Sequence, residues 1–290
     1  VLGAAAAAAL AGKLAGRPVV ARISSTGSTS DLLVSGRAFG IQRALSRRFL
    51  TRVVAMSDQA AEECRRWGYR TEQIVRIPNG VSVPDSVPGR AESEELEVVY
   101  LGGLRREKRV DLVIEAWKGA GCRGRLTIAG EGGEEDRLRR LAQTAGQPVR
   151  FLGRVEDPEP LLACCDIFVL ASDAEGMSNA LLEAMALGRA CIATYVGGNV
   201  DALGPELGAP PAAGQYAVGS AGLLVRMGDA VALAAGLQAL ARSSELRGSL
   251  GRAARERCLA QFRLEAVAES YRRLYADLLG RPDAITGPRP

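Results

Sequence analysis

One stretch, from Asp166 to Gly188, constrains the fold more than any other part of the chain. Its first residues, 166–170, are mainly apolar and partly β-branched, which predicts a buried strand. Apolar residues then recur at helical spacing over 180–187, and Gly188 stands where such a helix would end. A polar loop over 171–178 lies between them, so the stretch predicts a strand–loop–helix unit.

The start of the predicted helix is suited to anion binding. Ser178 or Asn179 is a natural N-cap residue, and the free N–H groups of the first turn attract negative charge. A phosphate could lie on the amides of 176–179. Glu183, about one turn into the helix, could then accept hydrogen bonds from a diol such as ribose, and Glu175 could hold a second polyol. The two glutamates, eight positions apart, are also compatible with solvated charges on an ordinary βα unit.

The composition of the 290-residue chain excludes several kinds of chemistry. Histidine is absent, so an imidazole base or a histidine metal ligand is excluded. The sequence contains neither a metal-ligand cluster nor an Asp-x-Asp motif, which agrees with a metal-independent mechanism, and we expect no cofactor. Six cysteines show neither a CxxC pair nor the spacing of secreted scaffolds, so we expect buried thiols in a reducing cytoplasm.

Charge and hydropathy limit the partners. The net charge of +4 favours an anionic substrate or membrane surface and does not indicate nucleic-acid binding. Because no apolar run approaches the ~20 residues of a membrane span, we expect a cytoplasmic protein. The helix predicted over 36–50 has arginines on one side, Arg43, Arg47 and Arg48, and Arg52 continues this basic patch. This basic patch is either a solvated face or a peripheral docking surface for anionic lipid or an acidic acceptor.

Residues 175–188 carry a recognisable motif, Glu-Gly-Met-Ser-Asn-Ala-Leu-Leu-Glu-Ala-Met-Ala-Leu-Gly. It closely resembles the donor-site signature of retaining glycosyltransferases with the GT-B fold, and among them glycosyltransferase family 4, the "glycosyl transferases group 1" set. Three further segments continue the resemblance: 77–81, 190–194 and 196–198. The resemblance implies an α/β protein with two Rossmann-like, doubly wound parallel-sheet domains. The alternation of predicted strands and helices supports the same class.

The resemblance also implies roles for individual residues. In that family the first glutamate of the motif contacts the donor sugar and the second binds the ribose, which places these roles on Glu175 and Glu183. In that family the backbone after a glycine that corresponds to Gly153 meets the nucleobase, which places that role on Arg154 and Val155. The helix N-terminus holds the diphosphate, which implicates four residues: Gly176, Met177, Ser178 and Asn179.

A glycine-led basic loop over 102–109 could neutralise a diphosphate. The family usually has Gly-Arg-Leu followed by a lysine at this point, and Lys108 matches the lysine. Gly103 stands where the arginine is usual, so Arg105 is the candidate substitute. Lys108, Arg105 and Glu175 are therefore the catalytic candidates, with Gly103 among the substrate-binding residues.

The resemblance predicts three regions: a partial N-terminal acceptor-side domain over 1–88, a C-terminal nucleotide-sugar-binding domain over 89–261, and a returning helix with a disordered tail over 262–290. The family's earlier N-terminal strands and its usual histidine have no counterpart, and Arg22 is the candidate for the equivalent strand end. We therefore expect an N-terminally truncated chain that keeps an intact donor half, catalyses poorly and tends to self-associate.

The implied function is transfer of a sugar from a nucleoside-diphosphate sugar to an acceptor with retention of configuration. The donor would be a UDP- or GDP-sugar, and the acceptor a carbohydrate or lipid-linked molecule. Catalysis would come mainly from positioning and from stabilisation of the leaving diphosphate. Two alternatives remain: a non-catalytic nucleotide-sugar-binding fragment or pseudoenzyme, and another GT-B enzyme such as an epimerase or phosphorylase.

Overall fold

A computed structural model describes residues 2–23, 44–87 and 95–280. The chain forms two compact units. Unit 1 comprises residues 1–80, 175–177 and 264–290, and unit 2 comprises residues 81–174 and 178–263. Part of the predicted basic helix, including Arg43, lies outside the described residues, as do the predicted boundary at 88 and the tail from 281. The sequence-based domain boundaries stay predictions.

Unit 1 is built on a parallel three-stranded sheet in the order β1-β2-β3. The strands are β1 Val20–Ile23, β2 Arg52–Ala55 and β3 Ile74–Arg76. The helical segments around them are Leu2–Leu14, 44–49, Asp58–Arg66, the 3-10 turn Thr71–Gln73 and Leu264–Leu279. The hydroxyl of Ser57 accepts a hydrogen bond from the Ala60 amide at 3.1 Å, so Ser57 is the N-cap of the helix Asp58–Arg66, which follows β2.

The last helix of the chain contributes to the core of unit 1. Val267 and Leu274 on this helix pack with Val54 of β2 and with Ile77, which follows β3. Half-buried Tyr271 joins the same cluster. The chain therefore returns to unit 1 after it has completed unit 2.

Unit 2 contains a seven-stranded sheet in the order β6-β5-β4-β7-β8-β10-β9. Its strands are β4 Leu96–Leu101, β5 Gly124–Ala129, β6 Val149–Gly153, β7 Ile167–Leu170, β8 Ala190–Thr194, β9 Tyr216–Gly219 and β10 Gly222–Val225. Its helices are Val110–Ala120, Glu135–Gln143, Glu159–Ala163, Asn179–Ala186, Gly197–Leu203, Ala230–Arg242 and Ser244–Arg257, followed by a π-helical turn at Cys258–Phe262. Every residue of β7 and β8 is buried, as expected of apolar strands in a doubly wound parallel sheet.

One edge of this sheet departs from the expected parallel arrangement. β9 pairs with β10 in the antiparallel direction, and only two residues separate the strands, as in a hairpin. The sequence prediction missed β9 because Tyr-Ala-Val-Gly is short and half-exposed. An edge strand of this kind lacks the continuous apolar run that identifies buried strands.

The strand order places a topological switch point between β4 and β7. From β4 the chain proceeds through β5 to β6 on one side, and β7 then starts the other half of the sheet. Loops that follow neighbouring strands on the two sides of such a point form a ligand-binding crevice in open α/β sheets. The basic loop, residues 102–109, follows β4, and the glutamate motif begins in the loop that follows β7.

Within the described ranges, no helix is long and apolar enough to span a membrane. The same part of the chain holds no group of three or more cysteine or acidic side chains arranged to bind a metal ion. All six cysteines are free. Cys64, Cys165, Cys191 and Cys258 are buried as expected, whereas Cys122 is half-buried. The expectation of buried thiols is wrong for Cys164, which is exposed beyond the short helix Glu159–Ala163.

Candidate functional site

The helix after the glutamate motif begins at Asn179 and has Ser178 as its N-cap. The Ser178 hydroxyl accepts a hydrogen bond from the Leu181 amide at 3.3 Å, while Asn179 is the first helical residue and is exposed. At the other end, Gly188 follows the C-cap with a φ of +68°, a conformation that glycine adopts without strain. The predicted strand–loop–helix unit is thus confirmed, and Ser178 is the capping residue of the two candidates.

Glu183 lies in the middle of this helix and is half-buried. Burial raises the pKa of its carboxyl group above the ordinary value for glutamate. A solvated surface glutamate would not show this shift. The environment therefore disfavours the charged form, and a ligand that donates hydrogen bonds to the carboxylate would offset this effect.

The basic loop follows β4 and contains one 3-10 turn, Arg106–Lys108. Lys108 at the end of this turn is half-buried. The Arg105 side chain is 63% exposed, and its Nε lies 3.0 Å from Oε1 of Glu107. Both cations lie at the carboxyl edge of the sheet.

Gly103 has space for a side chain. A Cβ atom there would come no closer than 3.6 Å to another group, the Arg105 Nε. By contrast, a Cβ on Gly130 would lie 1.9 Å from the Gly102 carbonyl oxygen, so a glycine is required where the loops after β4 and β5 meet. The backbone of Leu104 further joins these loops by donating to the Glu131 carbonyl at 2.9 Å.

The residues predicted to meet a nucleobase follow β6. Gly153 has a φ of +69°, and its carbonyl accepts from the Gly130 amide at 2.7 Å. Arg154 is 76% exposed with Nη1 3.9 Å from Oε1 of Glu131, and Val155 is half-buried. These two residues lie at the same carboxyl edge as the loops after β4 and β7.

A polar link joins the loops after β4 and β7, and the sequence analysis missed it. The Asp173 amide donates to the Glu107 carbonyl at 2.8 Å. The Arg109 guanidinium lies 3.4 Å from Oδ1 of Asp173 and 3.2 Å from Oδ1 of Asp111. Arg109 and Asp173 are 64 positions apart in the sequence, so their pairing can be predicted only when the strand order is known.

Residues 175–177 pack with unit 1, although the residues before and after them belong to unit 2. Glu175 and Met177 are buried, with 7% and 6% of their surfaces exposed. Asn79 donates from its side-chain nitrogen to the Met177 carbonyl at 3.0 Å and accepts at its side-chain oxygen from Arg22. Arg22 is at the carboxyl end of β1.

The predicted site residues therefore divide between the units. Unit 1 carries Glu175, Gly176 and Met177. Unit 2 carries the remaining predicted residues near the carboxyl ends of β4, β6 and β7: Gly103, Arg105, Lys108, Arg154, Val155, Ser178, Asn179 and Glu183. A cationic loop, a capped helix N-terminus and a half-buried carboxylate at one sheet edge can bind a ligand that combines phosphate and hydroxyl groups.

The fold defines a class: the architecture is that of GT-B glycosyltransferases. The family model described as "Glycosyl transferases group 1" matches residues 95–243, and the chain belongs to this family. The model described as "Glycosyl transferase 4-like domain" matches residues 2–80. The sequence-based identification of the family and the α/β fold class is thereby confirmed.

Two relatives and one solved structure illustrate this similarity. The N-acetyl-alpha-D-glucosaminyl L-malate synthase of Bacillus anthracis is 31% identical over 66% of this chain and 48% of its own length. The phosphatidyl-myo-inositol mannosyltransferase of Mycobacterium leprae (strain TN) is 30% identical over 91% of this chain and 68% of its own length. The chain thus spans about half of the first relative. The structure of Anabaena Alr3699/HepE in complex with UDP superposes with a TM-score of 0.79 at 21% identity, covering 96% of this chain and 77% of that chain.

Proposed function

We propose that this chain is a glycosyltransferase that takes its sugar from a nucleoside-diphosphate donor, a UDP- or GDP-sugar. Family membership supports the class of reaction. The observation that carries the donor class is the pair of loops at the switch point of unit 2. One loop contains Lys108, and the other leads into the helix capped by Ser178, in which Glu183 is half-buried. The lysine and the helix N-terminus are complementary to a diphosphate, and the Glu183 carboxylate is complementary to a ribose.

The proposed mechanism assigns a task to each group. The amides at 176–179 and the cations of Lys108 and Arg105 stabilise the leaving diphosphate, and Glu183 accepts hydrogen bonds from the ribose. Glu175 contacts the donor sugar, and the backbone at Arg154 and Val155 meets the nucleobase. The acceptor attacks from the face that the diphosphate leaves, so the anomeric configuration is retained. No metal ion or cofactor has a step in this mechanism.

The acceptor is proposed to be a carbohydrate or a lipid-linked molecule, which would bring the protein to a membrane surface only peripherally. The described part of the basic patch comprises Arg47 and Arg48, which are exposed at the end of the helical segment 44–49, and Arg52, whose Nη2 lies 3.3 Å from Oδ2 of Asp277. Association with vesicles that contain anionic lipid, lost in an Arg47→Gln and Arg48→Gln double variant, would support this location. Nucleic acid has no part in the proposal.

Nucleotide binding by the full chain tests the donor assignment. Calorimetry should show binding of UDP or GDP, and Lys108→Ala should weaken binding of the diphosphate roughly ten- to a hundredfold, as expected for a lost charge-assisted hydrogen bond. Binding of the nucleoside, uridine or guanosine, should hardly change. Equal losses for nucleotide and nucleoside would remove Lys108 from the phosphate site, and absence of binding at millimolar nucleotide would refute the donor class.

The products distinguish the alternatives among GT-B proteins. A transferase releases the nucleoside diphosphate in step with a new glycoside of the same anomeric configuration as the donor. A nucleotide-sugar-binding protein without activity binds the donor and releases nothing. An epimerase changes the stereochemistry of the sugar, so NMR spectra of mixtures with UDP- and GDP-sugars separate the three outcomes.

A further inference from the structure

Arg109 has an unusual backbone conformation next to the proposed phosphate-binding lysine. Its φ is 48° and its ψ is 43°, and among the described residues it is the only one other than glycine with a positive φ. A non-glycine residue in this left-handed region is strained, because its Cβ atom crowds the following carbonyl oxygen. Such strain persists where the surroundings hold the residue in place, and it is concentrated at functional sites.

The side chain of Arg109 shows what holds it. Its guanidinium bridges Asp111, with Nε 3.2 Å from Oδ1, and Asp173, with Nη1 3.4 Å from Oδ1. Asp111 is in the first turn of the helix Val110–Ala120. Asp173 is in the loop after β7, on the other side of the switch point. The guanidinium therefore spans the point at which the two halves of the sheet meet.

A second link lies on the other side of Lys108. The Asp173 amide donates to the carbonyl of Glu107 at 2.8 Å. Residues 107 and 109 are thus both tied to the same aspartate, and Lys108 lies between the two ties. This arrangement limits the positions of the Lys108 backbone relative to the loop that leads to the helix N-terminus.

We propose that Arg109 is a positioning residue that holds Lys108 at the diphosphate through its ion pair with Asp173. The inference rests on the proposed function, in which Lys108 binds the diphosphate. Arg109 itself is not assigned to the phosphates, because its guanidinium is already shared by two carboxylates. The left-handed backbone is what turns the side chain back toward the loop after β7, and the ion pairs offset its strain.

The Arg109→Gly variant removes the side chain and its ion pairs and at the same time relieves the backbone strain. Glycine adopts a φ of about +50° without cost, so the loss of the ion pairs is offset and the melting temperature should stay close to that of the native chain. The affinity for UDP or GDP should nevertheless fall about five- to tenfold, while the affinity for the nucleoside stays unchanged. Arg137→Met is the matched control: Arg137 also lies near Asp111, at 3.6 Å, but it pairs with Glu134 and should leave nucleotide affinity unchanged.

Asp173→Asn distinguishes positioning from a simple charge effect. If Arg109 acted only as a nearby positive charge, removal of the Asp173 carboxylate would strengthen diphosphate binding. If the ion pair holds Lys108 in place, the same substitution weakens binding, as Arg109→Gly does. Unchanged or tighter binding by Asp173→Asn would overturn the proposal.

The coupling to Lys108 provides the last test. In a Lys108→Ala background, Arg109→Gly should cause no further loss of diphosphate affinity, since the positioned group is already absent. Additive losses would show that Arg109 acts independently of Lys108. Hydrogen exchange of the ligand-free protein adds an arm that needs no nucleotide: the Asp173 amide should exchange faster in Arg109→Gly and not in Arg137→Met.

These arms distinguish failure of the inference from failure of the proposed function. If the native chain binds neither UDP nor GDP, the donor assignment falls, and with it the role of the link at a diphosphate. Exchange of the Asp173 amide still decides whether Arg109 holds the two loops together. If nucleotide binds and Arg109→Gly has the affinity of the native chain, the positioning role of Arg109 is wrong and the donor assignment stands.

Discussion

Glu183 is a carboxylate that the fold does not favour in its charged form. Because burial raises its pKa, folding is helped by the protonated form below the unfolded-state pKa, and this help is lost as the pH rises through the folded-state pKa. At neutral pH the ionised group therefore costs stability. A helix that packs better with a neutral residue yet carries a glutamate is consistent with a binding role for that residue.

Glu183→Gln should accordingly stabilise the protein while it impairs binding. We expect a higher melting temperature at pH 7 and a difference from the native chain that shrinks toward pH 4, where both side chains are neutral. Affinity for UDP should fall, whereas affinity for its 2′-deoxy analogue should hardly change, because the carboxylate makes its best contact with both hydroxyls. Calorimetric melting at the two pH values and titration with both nucleotides are the measurements. A less stable Gln variant at pH 7 would show that Glu183 is structural.

Gly103 gives a second prediction for a single residue. The family usually has an arginine there, and the nearest group to an added Cβ, the Arg105 Nε at 3.6 Å, is in ordinary contact distance. Gly103→Arg should therefore fold normally and bind UDP or GDP more tightly, because it adds a cation beside the proposed diphosphate site. Gly130→Arg is the control for crowding and should destabilise the protein, since its Cβ would lie 1.9 Å from a carbonyl oxygen. Weaker nucleotide binding by a well-folded Gly103→Arg would contradict the assignment of this loop.

Two helices of unit 2 begin with the same serine cap in different surroundings. Ser178 accepts from the Leu181 amide at 3.3 Å, and Ser243 accepts from the Leu246 amide at 3.0 Å. Ser178→Ala and Ser243→Ala should each destabilise unit 2 by about 0.5–2 kcal/mol, the usual cost of a lost cap. Only Ser178→Ala should also weaken UDP or GDP binding, since only that helix begins at the proposed phosphate site. Chemical denaturation and calorimetric titration of both variants make the comparison. Equal nucleotide affinities of the two variants would show that the N-terminus of the helix Asn179–Ala186 does not bind the phosphates.

The predictability of the elements follows from how local their signals are. The helix Asn179–Ala186 has strong periodicity and the buried strand β7 is a continuous apolar run, so the sequence predicts both. The edge strand β9 lacks such a run, and its pairing depends on a hairpin partner. The left-handed turn at Arg109 is harder still, because nothing in its residue type predicts a positive φ. The link to Asp173 needs the order of the strands, a property of the whole sheet.

For the whole molecule, the important feature is that the chain crosses between its two units more than once. Unit 1 contains the first part of the chain, three residues of the glutamate motif and the last helix. Each unit has its own sheet, and Val267 and Leu274 of the last helix are part of the core of unit 1. Separate cores make separate unfolding events possible, and multidomain proteins commonly depart from two-state behaviour.

Two leucine substitutions should therefore affect different parts of a calorimetric unfolding profile. Leu274→Ala in unit 1 and Leu240→Ala in unit 2 each remove a buried side chain, 7% and 0% exposed, at a cost of about 2–5 kcal/mol. We expect two transitions, one lowered by each substitution. UDP at about a hundred times its dissociation constant should stabilise by about 2.7 kcal/mol. Because Lys108, Ser178 and Glu183 lie in unit 2, the transition that Leu240→Ala lowers should rise more than the other. A single transition lowered by both substitutions would show that the units unfold together, and a nucleotide shift confined to the transition that Leu274→Ala lowers would place the nucleotide in unit 1.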